Sequence, residues 1–278
     1  MINPIVSVDE LAEFPDAVFA DVRWYLDGRD AHSEFTAGHL PGAVFVDLDT
    51  KLAAHDLPAS EGRHPFPTPQ AFAAAMSSLG ISDHSTVIAY DDTGGMTAGR
   101  LVVMLRMIGR NAAVLNGGIG AWSGPLVAGD EPAPTPAAFT ETPWPAERFA
   151  TADETAELAA SDRGVVIDAR SYERFTGEVT AIDPRPGHVP GAVSAPFAAA
   201  LDPVTKCFRP AHELHQHFSA LGVADAVDVV AYCGSGVSTC VNILAIEQAG
   251  LAPARIYVAS FSGWSSDTAH TVETGPDR

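Results

Sequence analysis

Basic residues are scarce in this chain of 278 residues: 16 Lys and Arg face 35 Asp and Glu, for a formal net charge of −19. So acidic a surface repels polyphosphates and anionic headgroups, which argues against nucleic acid or a membrane as partner. No apolar run approaches the roughly 20 residues that span a bilayer. Cysteine is limited to Cys207, Cys233 and Cys240, too few for a disulfide framework. The opening Met1-Ile2-Asn3-Pro4 lacks the basic-then-apolar pattern of a secretory leader, so the expectation is a cytoplasmic protein with reduced thiols. His212, His215 and His217 cluster on one expected helix without an acid or thiol in register; neither a metal nor another cofactor is expected. Against these absences, 46% hydrophobic and 18% charged residues leave material for a sizeable core. The length suits two domains of ordinary size.

The stretch that organises the chain is Ala231-Tyr232-Cys233-Gly234-Ser235-Gly236-Val237-Ser238-Thr239-Cys240. Val227, Val229 and Val230 before it read as a buried strand, and Val241 to Gln248 after it read as a helix closed by Gly250. Cys233 thus stands at a strand end, in a glycine-bearing turn that feeds a helix. Backbone N–H groups converge in such a turn, and the helix N-terminus adds partial positive charge. An anion carried on the Cys233 sulfur is then cradled by amides. Cys233 is the expected nucleophile.

The chain also repeats itself. Val18-Phe19-Ala20-Asp21-Val22-Arg23 recurs 147 residues later as Val165-Val166-Ile167-Asp168-Ala169-Arg170, and Gly38-His39-Leu40-Pro41-Gly42-Ala43-Val44 recurs as Gly187-His188-Val189-Pro190-Gly191-Ala192-Val193. Val87-Ile88-Ala89-Tyr90-Asp91 matches Val229-Val230-Ala231-Tyr232-Cys233, and Trp122 matches Trp264, both at an offset of 142. Ordered matches at nearly constant offset mean a duplicated domain, and each copy alternates strand with helix, the signature of an α/β domain with a mainly parallel sheet. Five prolines between Gly129 and Pro145 predict an extended, semi-rigid linker. The expected boundaries are 1–128, 129–147 and 148–278. Asp91 stands where the second copy has Cys233, so the first copy is expected to be catalytically inactive, structural or the wall of a shared site.

With the duplication, the paired Gly-His-Leu/Val-Pro-Gly-Ala motifs and the loop Cys233 to Ser238 in view, the chain resembles the two-domain rhodanese-type sulfurtransferases over nearly its whole length. Among them it is most similar to the 3-mercaptopyruvate sulfurtransferases, whose loop reads Cys-Gly-Ser-Gly-Val-Thr. The resemblance implies two tandem rhodanese-like domains, each a mainly parallel sheet flanked by helices. It implies a small-molecule donor whose sulfur passes to Cys233 as a persulfide, and then to a thiol, a thioredoxin-like protein or cyanide. It assigns a catalytic role to Ser235 beside Cys233. It places Gly234, Gly236, Val237 and Ser238 around the bound sulfur, and makes Arg174 and Arg185 the substrate arginines. Asp30 and His39 match positions linked to that serine in relatives, and Trp264 matches a residue near the pocket. Because Gly234 and Ser235 bring no cation for a dianion, the loop favours mercaptopyruvate; a thiosulfate:cyanide sulfurtransferase is the alternative, and a non-catalytic sulfur or partner sensor a weaker one. A phosphatase of the Cys-x5-Arg type is disfavoured, since Thr239 occupies the arginine position.

Overall fold

The computed structural model describes residues 1–179 and 182–276, and the chain forms two compact units. The first comprises Met1–Ala54, Phe66–Pro145 and Pro203–Phe208; the second comprises His55–Pro65, Ala146–Asp202 and Arg209–Arg278. These bounds cut across the contiguous segments expected from the repeat. Each unit takes in an arm from the other half of the sequence. The proline-rich stretch belongs to the first unit: Ala137 N–H donates to the Ser77 carbonyl, Thr140 N–H to Asp83, and Trp144 Nε1 to the Pro67 carbonyl.

The first unit holds strands β1 (Ile5–Val6), β2 (Val18–Asp21), β3 (Val44–Phe45), β4 (Val87–Tyr90) and β5 (Ala112–Leu115) in the order β1-β5-β4-β2-β3. The second holds β6 (Gly164–Asp168), β7 (Val193–Ser194), β8 (Asp228–Tyr232) and β9 (Arg255–Ile256) in the order β7-β6-β8-β9. Every pairing between these strands is parallel. A single bridge from Phe149 to Ile256 stands where β1 pairs β5 in the first unit. Central strand β4 and, after its first residue Asp228, β8 are apolar and buried on both faces, as parallel strands covered by helices must be. Val227 is a correction at the edge: it precedes β8 and is 79% exposed, so the strand starts one residue later, at Asp228, and its buried part at Val229.

The repeated motifs are structural clamps. Asp21 at the end of β2 holds Arg23 in a bidentate pair, and Arg23 Nη2 donates to the Gly38 carbonyl at 2.8 Å. Asp168 at the end of β6 holds Arg170 in the same way, and Arg170 Nη2 donates to the Gly187 carbonyl at 2.7 Å. His39 and His188 stack on Phe35 and Phe175, with ring centroids 3.9 and 3.7 Å apart, and each engages that phenylalanine's carbonyl through Nδ1. The Tyr90 and Tyr232 hydroxyls receive the N–H of Leu40 and Val189. Each strand end is thereby locked to the turn that follows the next helix. In the second unit this fixes where β8 stops.

Candidate active site

β8 ends at Tyr232, the helix Thr239–Gln248 begins seven residues on, and Cys233 opens the turn between them, 1% exposed. Gly236 N–H donates to Cys233 Sγ at 3.1 Å. Gly236 has φ +73, a left-handed conformation that a side chain resists, and it is what turns that amide inward. The turn is tied down from behind by the helix Ser260–Ser266: the Cys233 and Gly234 carbonyls accept the N–H groups of Phe261 and Ser262, and Cys233 N–H donates to Ser260 Oγ. The thiol therefore sits on a rigid floor.

The arm 55–65 forms the opposite wall. Gly62 and Gly263 let it lie against the Ser260–Ser266 helix, since a Cβ at Gly62 would fall 2.4 Å from the Ala259 carbonyl oxygen and one at Gly263 2.5 Å from that of Ser60. Arg63 N–H donates to Ser262 Oγ, which fixes the arm's register. Two side chains are delivered to the turn this way. His64 Nδ1 lies 2.9 Å from Ser235 Oγ, a serine–imidazole pair on the turn that carries the thiol. The Arg63 guanidinium comes down over Gly234 beside that of Arg174, from the helix Tyr172–Thr176. A Cβ at Gly234 would lie 2.9 Å from Arg63 Nη2 and 2.7 Å from Arg174 Nη2, so a side chain there would push the two guanidinium ends off the turn.

Asp183 gathers the arginines. Its carboxylate accepts from Arg63 Nη1 at 3.0 Å, Arg174 Nη2 at 2.5 Å and Arg170 Nη1 at 3.3 Å. Burial pushes its carboxyl pKa up, but hydrogen bonds and charge from Arg174, Arg63 and Arg170 outweigh burial and hold it below the usual aspartate range. Arg170 is already neutralised by Asp168. Arg63 and Arg174 therefore share one carboxylate and leave a local positive surplus over the turn, in a chain whose net charge is −19. A buried thiol, a serine–imidazole pair and two adjoining guanidiniums suit a small anion bearing a transferable group.

The Rhodanese-like domain family matches the chain twice, over residues 7–125 and 151–267. This chain belongs to the rhodanese-like family. A Pseudomonas aeruginosa protein named "Probable 3-mercaptopyruvate sulfurtransferase" is 37% identical over 267 residues, covering 94% of this chain and 93% of its own. The Arabidopsis thaliana "Thiosulfate/3-mercaptopyruvate sulfurtransferase 1, mitochondrial" is 30% identical, covering 98% of this chain and 78% of its own. The crystal structure of the Escherichia coli 3-mercaptopyruvate sulfurtransferase SseA aligns with a TM-score of 0.81 at 29% identity, over 93% of this chain and 99% of that one.

Several residues that the rhodanese-like resemblance nominates stand elsewhere. Arg185 is engaged by four carbonyls, of Ser265, His270, Trp264 and Asp267, and fastens the C-terminal helix instead of facing the thiol. Trp264 is core, 2% exposed and stacked on His270, with Nε1 donating to the Thr271 carbonyl. His39 is enclosed in its clamp, with Nε2 facing Glu131, and Asp30 caps the helix Ala31–Ala37 through Ser33 N–H. Ser235 Oγ meets His64, and the guanidinium that lies beside Arg174 is that of Arg63. Neither carries a motif; the sequence cue is an adjacent cation and imidazole in a proline-bearing loop, after Gly62, a pattern common on surfaces. Gly234 lies beneath the two guanidiniums and Gly236 donates its amide to Cys233 Sγ, while Val237 and Ser238 offer carbonyls to Cys240 N–H and Val241 N–H in the first turn of the helix. Among the described residues no group of three or more His, Cys, Asp and Glu could hold a metal ion, and no helix is long and apolar enough to cross a membrane.

Proposed function

We propose that this protein is a sulfurtransferase that moves sulfur from 3-mercaptopyruvate to a thiol or cyanide acceptor through a persulfide on Cys233. The convergence of Arg63 and Arg174 over the Cys233 turn carries the reading, because it puts a carboxylate grip beside a nucleophile. The Cys233 thiolate attacks the donor sulfur, the carbon–sulfur bond breaks, and its electron pair goes to the methylene carbon, giving the enolate of pyruvate. The arginines hold the carboxylate while negative charge builds on the neighbouring oxygen. The His64–Ser235 pair, joined at 2.9 Å, carries a proton to the enolate carbon in this reading, and pyruvate leaves. An incoming thiolate then attacks the outer sulfur and Cys233 departs as thiolate, the halves of a ping-pong cycle. A small thiol or a thioredoxin-like protein serves as acceptor, and a reducing cytoplasm keeps Cys233 in the required state.

Thiosulfate is the second reading. Gly234 and Ser235 give the turn no cation, but Arg63 and Arg174 supply two from outside it, enough to meet a dianion. Side-by-side kcat/KM for the two donors with one acceptor tests the choice. A strong preference for mercaptopyruvate is expected, together with loss of all turnover in Cys233→Ser. A preference for thiosulfate would make the arginine pair a dianion site. Turnover of neither donor would leave the fold with a binding role.

A further inference from the structure

The first repeat contains an image of the persulfide state. Asp91 occupies the position of Cys233, and each carbonyl accepts one equivalent N–H, Ile119 for Asp91 and Phe261 for Cys233. In the first turn the Asp91 carboxylate is fully buried and surrounded by donors. Oδ1 accepts from Thr93 N–H and Gly95 N–H, and Oδ2 from Thr97 N–H, Thr97 Oγ–H and Ala98 N–H. Counted along the side chain, Asp91 Cγ corresponds to Cys233 Sγ, and an aspartate oxygen corresponds to the next atom out. On a cysteine that next atom is the outer sulfur of a persulfide. The first turn therefore displays the donors that such a turn directs at an anion one bond beyond the nucleophile.

Thr97 lies six residues after Asp91, and Thr239 lies six residues after Cys233. Both are fully buried. Thr97 Oγ is satisfied by the carboxylate at 3.1 Å, whereas Thr239 Oγ has no hydrogen-bond partner, and Cys233 Sγ itself receives Gly236 N–H. A buried hydroxyl without a partner is costly to the fold unless a partner arrives during function. The amides of the two turns do not correspond one for one. Gly95 has φ +85, its counterpart is Val237, and Cys240 N–H, the counterpart of Ala98 N–H, is turned to the Val237 carbonyl. With fewer amides free, the hydroxyl counts for more.

We propose that Thr239 Oγ–H is the donor reserved for the outer sulfur of the Cys233 persulfide, unpaired in the resting thiol and paired in the loaded enzyme. The inference rests on the sulfurtransferase reading and assigns that site a residue for its intermediate. The hydroxyl stabilises the anionic outer sulfur, so it favours loading and keeps the persulfide ionised at lower pH. It forms and breaks no covalent bond.

The test compares wild type with the near-isosteric Thr239→Val, with Thr239→Ala as a smaller alternative and Thr239→Ser as the conservative control. Each is incubated with mercaptopyruvate without acceptor, and gain of one sulfur on Cys233 is read by intact mass. Sulfur delivery to a small thiol is then followed against pH. Expected for Thr239→Val are an about tenfold or greater rise in the donor concentration that half-loads the enzyme and an upward shift of about one unit in the pH midpoint of delivery, both restored by serine. The resting Thr239→Val enzyme should melt no lower than wild type, since no hydrogen bond is lost, while Thr97→Val should melt lower. Loading and pH midpoint unchanged in Thr239→Val would overturn this assignment alone. A wild-type enzyme that never gains the sulfur would overturn the sulfurtransferase reading and the assignment with it.

Discussion

At the scale of the residue, three arginines near the C-terminal sheet look alike in sequence and differ in what they touch. Arg63 and Arg174 share Asp183 and lie over Gly234, whereas Arg185 spends its donors on four carbonyls. Arg63→Ala and Arg174→Ala should each raise the KM for mercaptopyruvate, by about 1.5–3 kcal/mol for a lost charge-assisted bond. Arg185→Ala should leave that KM unchanged and lower the melting temperature instead, as its stranded carbonyls cost about 1–3 kcal/mol. Steady-state kinetics and thermal melts on the three variants separate these roles; a KM effect confined to Arg185 would reverse the assignment. The distinction was beyond reach in the linear chain. Arg174 could be read from its match to relatives, but the fate of Arg185 depends on carbonyls 79 to 85 residues away.

At the scale of the element, Asp183 is the tie. Through its arginines it joins the arm 55–65, the helix Tyr172–Thr176 and the end of β6. Its carboxyl binds a proton less readily in the folded chain than in the unfolded one, so the unfolded chain takes up more protons on the acid side. The stabilisation is complete above the ordinary aspartate pKa of about 4 and is lost as pH falls through the lower folded value. Melting temperature followed from neutral pH into the acid range should show Asp183→Asn below wild type at pH 7 and the two curves converging below about pH 4. Curves that stay parallel would mean the tie contributes nothing. The strand, turn and helix that flank Cys233 were legible because apolar run, glycine turn and helix follow one another locally. The tie was not, because it joins elements distant in sequence.

At the scale of the whole molecule, the repeat hides an exchange. The arm 55–65 comes from the first half of the sequence and is part of the second compact unit, where it brings Arg63 to Gly234 and His64 to Ser235, in the turn that Cys233 opens. Replacing 55–65 with a glycine–serine segment of equal length should cut kcat/KM by roughly a hundredfold or more, the loss of a charge-assisted contact and of a proton-transfer group together. Circular dichroism would verify that both sheets persist. Near-normal turnover in that variant would remove the arm from the reaction.

The sequence by itself determined the duplication, the parallel α/β architecture and the place of Cys233 in a turn between strand and helix. Those features are written in short-range patterns: strand–turn–helix runs and motifs repeated at fixed offsets. It also showed the chemical inequality of the repeats, Asp91 against Cys233. Only the tertiary structure decided which arginines accompany the thiol, which histidine meets Ser235, and that His39 and Trp264 serve packing. Those outcomes depend on close approach between segments far apart in the chain, set by glycines that admit a neighbouring backbone and by hydrogen bonds to buried carbonyls. A one-dimensional pattern does not encode which distant group arrives to satisfy a given donor.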